Sequence, residues 1–275
     1  MLCPICGNPS SKDFVSIHNH DIFKCHFKDC GHLFIGDQID DQGVMEQQDA
    51  DELYETYKDR NYQLIRFWEK RDFISGNKSV LDVGSGTGHI LRSLKNVFPN
   101  ISITCIEPSK KNQQNLINFG FKVVDSFGDL TDEKFDAILL MEVVEHVNNP
   151  VNFLSLCKAN LKNSGKIFLT TPCGELRNGS RDTNAYDTKE HVHFFTEKSL
   201  ELTCKKAGLP VIKLEKIPEL YPKEKSESKL KDYIKNYKIR TKNYINTLRF
   251  QESINPKVGF YHLVGFIKPI WDLCL

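Results

Sequence analysis

The sequence is short of the features that assign a chain to a compartment or a partner at a glance. It has no apolar run approaching the roughly 18 residues that a membrane-spanning helix needs, so no span is expected. Its first residues, MLCPICGNPS, contain neither a basic segment nor an apolar one behind it, so no secretory signal is expected there. Net charge is nearly absent, +1 over 275 residues, and the whole-molecule field therefore argues neither for nor against nucleic acid. Any preference for an anionic partner has to come from local charge. No internal repeat or low-complexity tract is evident.

What is present is ordinary in bulk and unusual in detail. A hydrophobic fraction of 40% and a charged fraction of 27% suit a globular chain, and the length suits one α/β domain plus a small appendage. There are nine cysteines, four of them in two close pairs near the N-terminus. The other five (Cys105, Cys157, Cys173, Cys204, Cys274) stand singly in hydrophobic stretches. Clustered cysteines on a metal and lone ones buried as small hydrophobes are the pattern of a reducing compartment, so a cytoplasmic location is expected.

Residues 1–36 are Cys/His-rich and turn-rich, and read as a small metal-binding module. An acidic stretch from Asp37 to Asp51 reads as linker, and Tyr54, Tyr57, Leu64, Ile65 and Trp68 recur at helical spacing, so 37–78 is a linker and a helix. From 79 to 275 short apolar strands alternate with amphipathic segments. Strands are expected at Ser79–Val83, Ser102–Glu107, Lys122–Val124, Phe135–Met141 and Lys166–Thr170, with helices at His89–Val97, Lys110–Phe119 and Val151–Leu161. Two more strands are expected at Val211–Ile217 and Gly259–Ile267. Such alternation implies an α/β, doubly wound, Rossmann-like sheet of seven strands. Between the last two strands lies a basic insertion, 223–249, with nine Lys/Arg against three Asp/Glu and with Leu230, Tyr233, Ile234 and Tyr237 at helical spacing. It reads as an amphipathic helix, which either meets an anionic partner or simply faces water.

The segment VLDVGSGTGHI puts Gly84, Gly86 and Gly88 between a strand and a helix, where a tight turn must approach a ligand closely. Dinucleotide enzymes use a similar turn, but the spacing here is GxGxG, one residue shorter than theirs. Asp82 precedes the loop within the strand. Glu107, about 20 residues on, ends the next strand, where a carboxylate can accept hydrogen bonds from two ribose hydroxyls. On these residues the chain resembles the class I S-adenosylmethionine-dependent methyltransferases, over roughly residues 50–275. The resemblance implies that Asp82, Gly84, Ser85, Gly86, Gly88, Glu107, Asp125 and Met141 line the cofactor cleft. It also implies that FDAILLMEVVEHV is the fourth strand and the loop facing cofactor and acceptor.

CPIC (Cys3, Cys6) and CHFKDC (Cys25, Cys30) are the close pairs, 18 residues apart and each followed by a glycine, Gly7 and Gly31. Two pairs on turns assemble a tetrahedral thiolate site, so structural zinc is expected, with His26 or His32 able to replace one sulfur because the second pair is widely spaced. A zinc ribbon before this fold resembles the deoxysugar C-methyltransferases and bacterial surface-polysaccharide methyltransferases.

A second constellation follows the fourth strand. Glu142, Glu145 and His146 form ExxEH, and His191 and His193 come later in KEHVHFF. This pattern resembles the metal-dependent small-RNA 2′-O-methyltransferases and the ubiquinone-pathway O-methyltransferases. Three readings stay open: a second divalent cation that lowers the pKa of an acceptor hydroxyl, His146 as an unassisted general base, or histidines that merely anchor loops. The expectation is O-methylation of a small or glycan-type acceptor, sugar-like or phosphorylated, in surface-polysaccharide synthesis. The alternatives are an RNA or other nucleic-acid methyltransferase, a non-catalytic cofactor-binding scaffold, and, distantly, a hydride-transfer enzyme.

Overall fold

The computed structural model describes residues 1–16, 19–36, 50–76, 78–174, 190–218 and 261–267, the last strand and 215–218 by backbone alone. Most of the acidic linker and the whole basic insertion lie outside the described residues, as does Cys274.

The first residues form a small antiparallel sheet of β1 (Ser10–Val15), β2 (Asp21–Cys25) and β3 (Leu33–Ile35). The helix α1 (Ala50–Lys70) follows, and buries Tyr54, Ile65 and Trp68 on one face. Next come β4 (Ser79–Val83), α2 (His89–Val97), β5 (Ser102–Ile106), α3 (Lys110–Asn118), β6 (Lys122–Val124) and β7 (Phe135–Met141). They are followed by α4 (Pro150–Ala159), β8 (Leu161–Pro172), β9 (His193–Phe194), α5 (Glu197–Lys206), β10 (Val211–Pro218) and β11 (Tyr261–Ile267).

Seven strands make the large sheet in the order β10-β11-β8-β7-β4-β5-β6. β4, β5, β6, β7 and β8 pair in parallel, while β11 runs antiparallel to β8. The central strands are mainly apolar because both faces are covered, with Asp82 in β4 and Asp136 in β7 as the charged exceptions. Leu81, Val83, Ile138 and Leu140 enter one core cluster, and Val80, Ala137 and Leu139 enter the other, as the two-residue strand period requires. The lone Cys105, Cys157 and Cys204 are wholly buried among these apolar side chains, and burial pushes their thiols up, Cys204 to about 12. They are packing residues.

Helix ends follow local chemistry. Asn149 caps α4 through its side chain, with Pro150 at the first helical position, and Asn160 closes the helix. Leu161 consequently belongs to β8 rather than to the helix, pairing with Phe135, so the strand starts five residues earlier than the apolar run Lys166–Thr170 implies. β4 has β5 on one side and β7 on the other, so the chain reverses its direction of travel across the sheet there. The crevice beyond the carboxyl ends of these strands is where open α/β sheets bind ligands.

Candidate active site

The loop after β4 is built on three left-handed glycines: Gly84 at φ 72°, Gly86 at 53° and Gly88 at 74°. The Gly84 N–H donates to the Ile106 carbonyl at 2.8 Å, which ties the loop to the end of β5. A Cβ on Gly84 would come within 2.8 Å of Val143, and one on Gly88 within 2.5 Å of Leu116. At Gly86 a Cβ would meet nothing within 4 Å, so this residue borders open space.

Glu107 follows β5 and is 5% exposed. Its carboxylate accepts from the Gly86 N–H at 2.7 Å and from the Ser109 N–H at 2.9 Å, so it is fixed against the glycine loop. Asp82 is buried behind the loop, and Ser85 donates its hydroxyl to the Asp82 carbonyl at 3.1 Å. Burial raises the Asp82 carboxyl from 3.8 to about 7; the Ser85 contact opposes this and the Glu107 charge adds to it. Asp125, just past β6, is exposed and held by Lys110 at 2.9 Å and Gln113 at 2.7 Å, and the Lys110 contact lowers its carboxyl. Met141 ends β7, half-buried.

The raised Asp82 value has a consequence for stability. Between about pH 4 and pH 7 the folded chain keeps a proton that the unfolded chain has released, so this group makes stability fall as pH rises through that window. Asp82→Asn should flatten that slope and raise the melting temperature of the cofactor-free chain at about pH 8 more than at about pH 4. Thermal unfolding at the two pH values checks this; equal effects at both would mean Asp82 titrates normally.

The other half of the cleft grows from the loop after β7. Glu142 sits at φ 57°, a conformation unfavourable for a residue with a side chain, and its N–H donates to the Thr170 carbonyl at 3.1 Å. Glu145 is 1% exposed; one oxygen accepts from the Thr171 hydroxyl at 2.9 Å and the other has no hydrogen-bond partner. Burial, with the Glu142 charge, raises its carboxyl well above the usual range. His146 Nδ1 lies 3.1 Å from the Glu190 carbonyl, and Nε2 lies 3.9 Å from the free Glu145 oxygen. A carbonyl only accepts, so the neutral ring carries its proton on Nδ1 and presents a lone pair at Nε2. The His191 ring meets the His146 ring edge-on at 4.8 Å.

Donor atoms of Glu145, His146 and His191 all lie within 4.8 Å of one another. Glu142 and His193 fall outside that group. His193 points to the N-terminal module instead, its Nδ1 3.0 Å from His32 Nε2, and burial pulls it down to about 4. That partnership leaves no sequence trace, since it joins residues 161 positions apart.

In the module, Cys3, Cys6, Cys25 and Cys30 place their sulfurs within 4.8 Å of one another, with Cys3–Cys30 at 3.8 Å and Cys6–Cys25 at 3.3 Å. Tetrahedral zinc–sulfur bonds of about 2.3 Å give sulfur edges of about 3.8 Å, so the four could hold one ion. The Cys30 thiol beside Cys3 draws Cys3 down, with help from the Cys6 and Ile5 backbone, and the same contact raises Cys30. Gly7 and Gly31 are left-handed at φ 74° and 56°. Neither histidine joins the sulfurs: His26 is exposed against Ser11 at 2.7 Å, and His32 is buried between Ser199 and His193. Beside Cys25, an open groove of about 600 Å³ is lined by Lys24, Lys28, Lys198, His26, the acidic Asp13 and the half-exposed Phe27, a feature that sequence reading missed because Lys198 comes from α5.

A family model described as a methyltransferase domain matches residues 57–214, more than half of the chain. The ubiquinone biosynthesis O-methyltransferase of Haemophilus ducreyi is 33% identical over 107 residues, covering 34% of this chain and 45% of that protein. The protein of the same name from Xanthomonas axonopodis pv. citri is 34% identical over 100 residues, covering 34% and 42%. The chain thus spans less than half the length of these curated relatives. Among solved structures, coclaurine N-methyltransferase bound to N-methylheliamine and SAH superposes with a TM-score of 0.54 at 14% identity, covering 76% of this chain and 70% of that one. A chain from the complex of the Haloferax volcanii Trm112 methyltransferase activator with a putative methyltransferase gives 0.53 at 17%, covering 80% and 95%. At these identities the likeness is one of fold.

Proposed function

We propose that this chain, which belongs to the methyltransferase-domain family, transfers the methyl group of S-adenosylmethionine to a hydroxyl of a small acceptor. The observation that carries this is the pairing of Gly86, with open space where a Cβ would be, and the buried Glu107 carboxylate fixed against its N–H. A ribose fits in the open space beside that pair, its hydroxyls donating to the remaining lone pairs of the carboxylate. The bound sulfonium supplies an electrophilic methyl, and the chain's task is to align an oxygen behind it.

His146 supports oxygen as the acceptor atom. Its Nε2 lone pair can take the hydroxyl proton, and burial holds the imidazole below its ordinary 6.5, so it is neutral near pH 7. Relatives named O-methyltransferases over the matched stretch agree with this reading. A second reading has its own observation. The Nε2 lone pair faces an unpartnered carboxylate oxygen across 3.9 Å, with His191 alongside. Two electron-rich atoms so placed are stabilised by a positive species nearby, and a proton on Glu145 or a divalent cation shared with His191 would supply it. Such a cation would supply Lewis acidity to the acceptor oxygen.

The acceptor we propose is a sugar bearing phosphate, of the kind used in surface-polysaccharide synthesis. The clustered thiols favour the cytoplasm. No helix among the described residues is long and apolar enough to cross a membrane.

The test is methyl-labelled S-adenosylmethionine incubated with the protein and cell extract, followed by separation of small-molecule, glycan-lipid, nucleic-acid and protein fractions. Label is expected in the small-molecule or glycan fraction; label in RNA would replace this acceptor class, and bound cofactor without any transfer would make the chain a scaffold. Loss of label with a chelator that leaves the cysteine site loaded would select the cation reading over the proton. For the cysteine site we expect about one zinc per purified chain, held by Cys3, Cys6, Cys25 and Cys30 and lost in Cys30→Ser. Elemental analysis reads this directly, and metal-free wild-type protein would count against it.

A further inference from the structure

Among the described residues, the four-cysteine module does not have a core of its own. Its apolar side chains Phe14, Ile22, Leu33 and Ile35 form one cluster with Val192 and Phe194, which belong to the segment leading into α5. The other face of the module, Cys3, Cys25, Cys30 and Phe34, packs into the cluster that holds Leu140, Val144, Phe195 and Leu200. The backbone repeats the connection. β9 is the fourth strand of the module's sheet, with Leu33 opposite Phe194 and Phe34 opposite His193, and the Ile35 N–H donates to the Val192 carbonyl at 3.1 Å.

The same few residues hold up one wall of the cleft. The N–H groups of Val192 and His193 both donate to the Glu145 carbonyl, at 2.9 and 3.1 Å, and the Glu190 carbonyl fixes the His146 ring. His191 lies between these contacts. Along this segment Val192 and Phe194 fill the module's core, while His191 turns to His146 and His193 to His32. His32 is wholly buried, bonded to Ser199 at 3.2 Å on one nitrogen and to His193 at 3.0 Å on the other. It comes two residues after Cys30, so the turn carrying that cysteine also sets its place.

We infer that the cysteine module is a positioning element for the acceptor side, acting through His32 and the β3–β9 pairing to hold residues 190–193 against Glu145 and His146. The module is thereby a wall of the site rather than an appendage for an outside partner. Its contribution falls on turnover and not on cofactor affinity, because the glycine loop and Glu107 make none of these contacts. A displacement of the order of 1 Å in a reacting group costs up to about 100-fold in rate. This inference rests on the methyltransferase reading for its rate arm alone.

The experiment compares wild type with His32→Leu, His32→Gln and Val192→Ala, each as the full chain. Three quantities are read: hydrogen exchange over 190–195, affinity for S-adenosylhomocysteine, and methyl-transfer rate and KM for S-adenosylmethionine with the extract acceptor. In His32→Leu we expect exchange at Val192 and His193 to accelerate about tenfold or more, and the rate to fall about tenfold or more, with affinity and KM unchanged. His32→Gln, which keeps a hydrogen-bonding group near the Nε2 position, should recover most of the loss. Val192→Ala trims the module's core without touching a polar contact, and should move exchange and rate in the same direction if His32→Leu does not fold. Unchanged exchange and rate would overturn the inference. So would loss of cofactor affinity in step with rate, since that is general support of the fold. Absence of transfer by wild type would instead sink the methyltransferase reading, and the exchange arm would still decide this one.

Discussion

Gly86→Val should leave a folded chain that no longer binds S-adenosylmethionine. The residue holds φ 53°, and no heavy atom lies within 4 Å of where its Cβ would stand. The fold therefore bears only the backbone strain, about 1–2 kcal/mol for a left-handed residue with a side chain. That amounts to a melting shift of several degrees in a chain of this size. The ligand bears the rest, because the isopropyl group would occupy the space beside Glu107 where the ribose belongs. We expect S-adenosylhomocysteine affinity to fall by about 100-fold or more, roughly 2.7 kcal/mol, in titration calorimetry. Gly84 and Gly88 would be poorer probes, since side chains there run into Val143 and Leu116 and disturb packing as well. Affinity within a few-fold of wild type would move the cofactor away from this loop.

His146→Ala should do the reverse, sparing the cofactor and removing the chemistry. Loss of a positioned base lowers the rate by about 10²- to 10⁴-fold. None of the contacts made by His146 involves the glycine loop or Glu107, so S-adenosylhomocysteine affinity should stay within about threefold. The wild-type rate carries the matching signature. Burial lowers the imidazole's pKa, so the basic form persists below pH 6.5, and the rate should hold as pH falls past that value before it drops. A rate that halves at or above pH 6.5, or a variant as fast as wild type, would take His146 out of the reaction.

The sequence makes the sheet legible because its physics is local. A buried parallel strand is largely apolar on both faces, and FDAILLM meets that with Asp136 as its one charged residue. GxGxG demands three backbone conformations that glycine alone adopts freely, and all three appear at positive φ. The two cysteine pairs are legible for a related reason, since four sulfurs on turns have few places to go. The acceptor side is less so. ExxEH puts Glu145 and His146 beside each other by adjacency, but His191 joins them and His193 leaves them according to a two-residue strand, β9, too short for any periodicity to announce. Glu142 lies outside the ligand-atom group of Glu145, His146 and His191 while its charge still reaches Glu145, and the left-handed turn at this residue is something nothing in its side chain signals. The groove at Lys24, Lys28 and Lys198 is invisible for the same reason as the His32–His193 contact: its parts lie far apart along the chain.

The fourth strand of the first sheet also sets an order on folding. β1, β2 and β3 can meet as soon as they leave the ribosome, but a three-stranded sheet whose apolar side chains wait for Val192 and Phe194 is half-finished. Those residues are made only after all five parallel strands, and loops of that length close slowly. The N-terminal segment therefore spends synthesis with an open strand edge and uncovered apolar surface, the condition in which nascent chains aggregate. A metal captured early by the four thiols would hold that segment in shape until its last strand arrives.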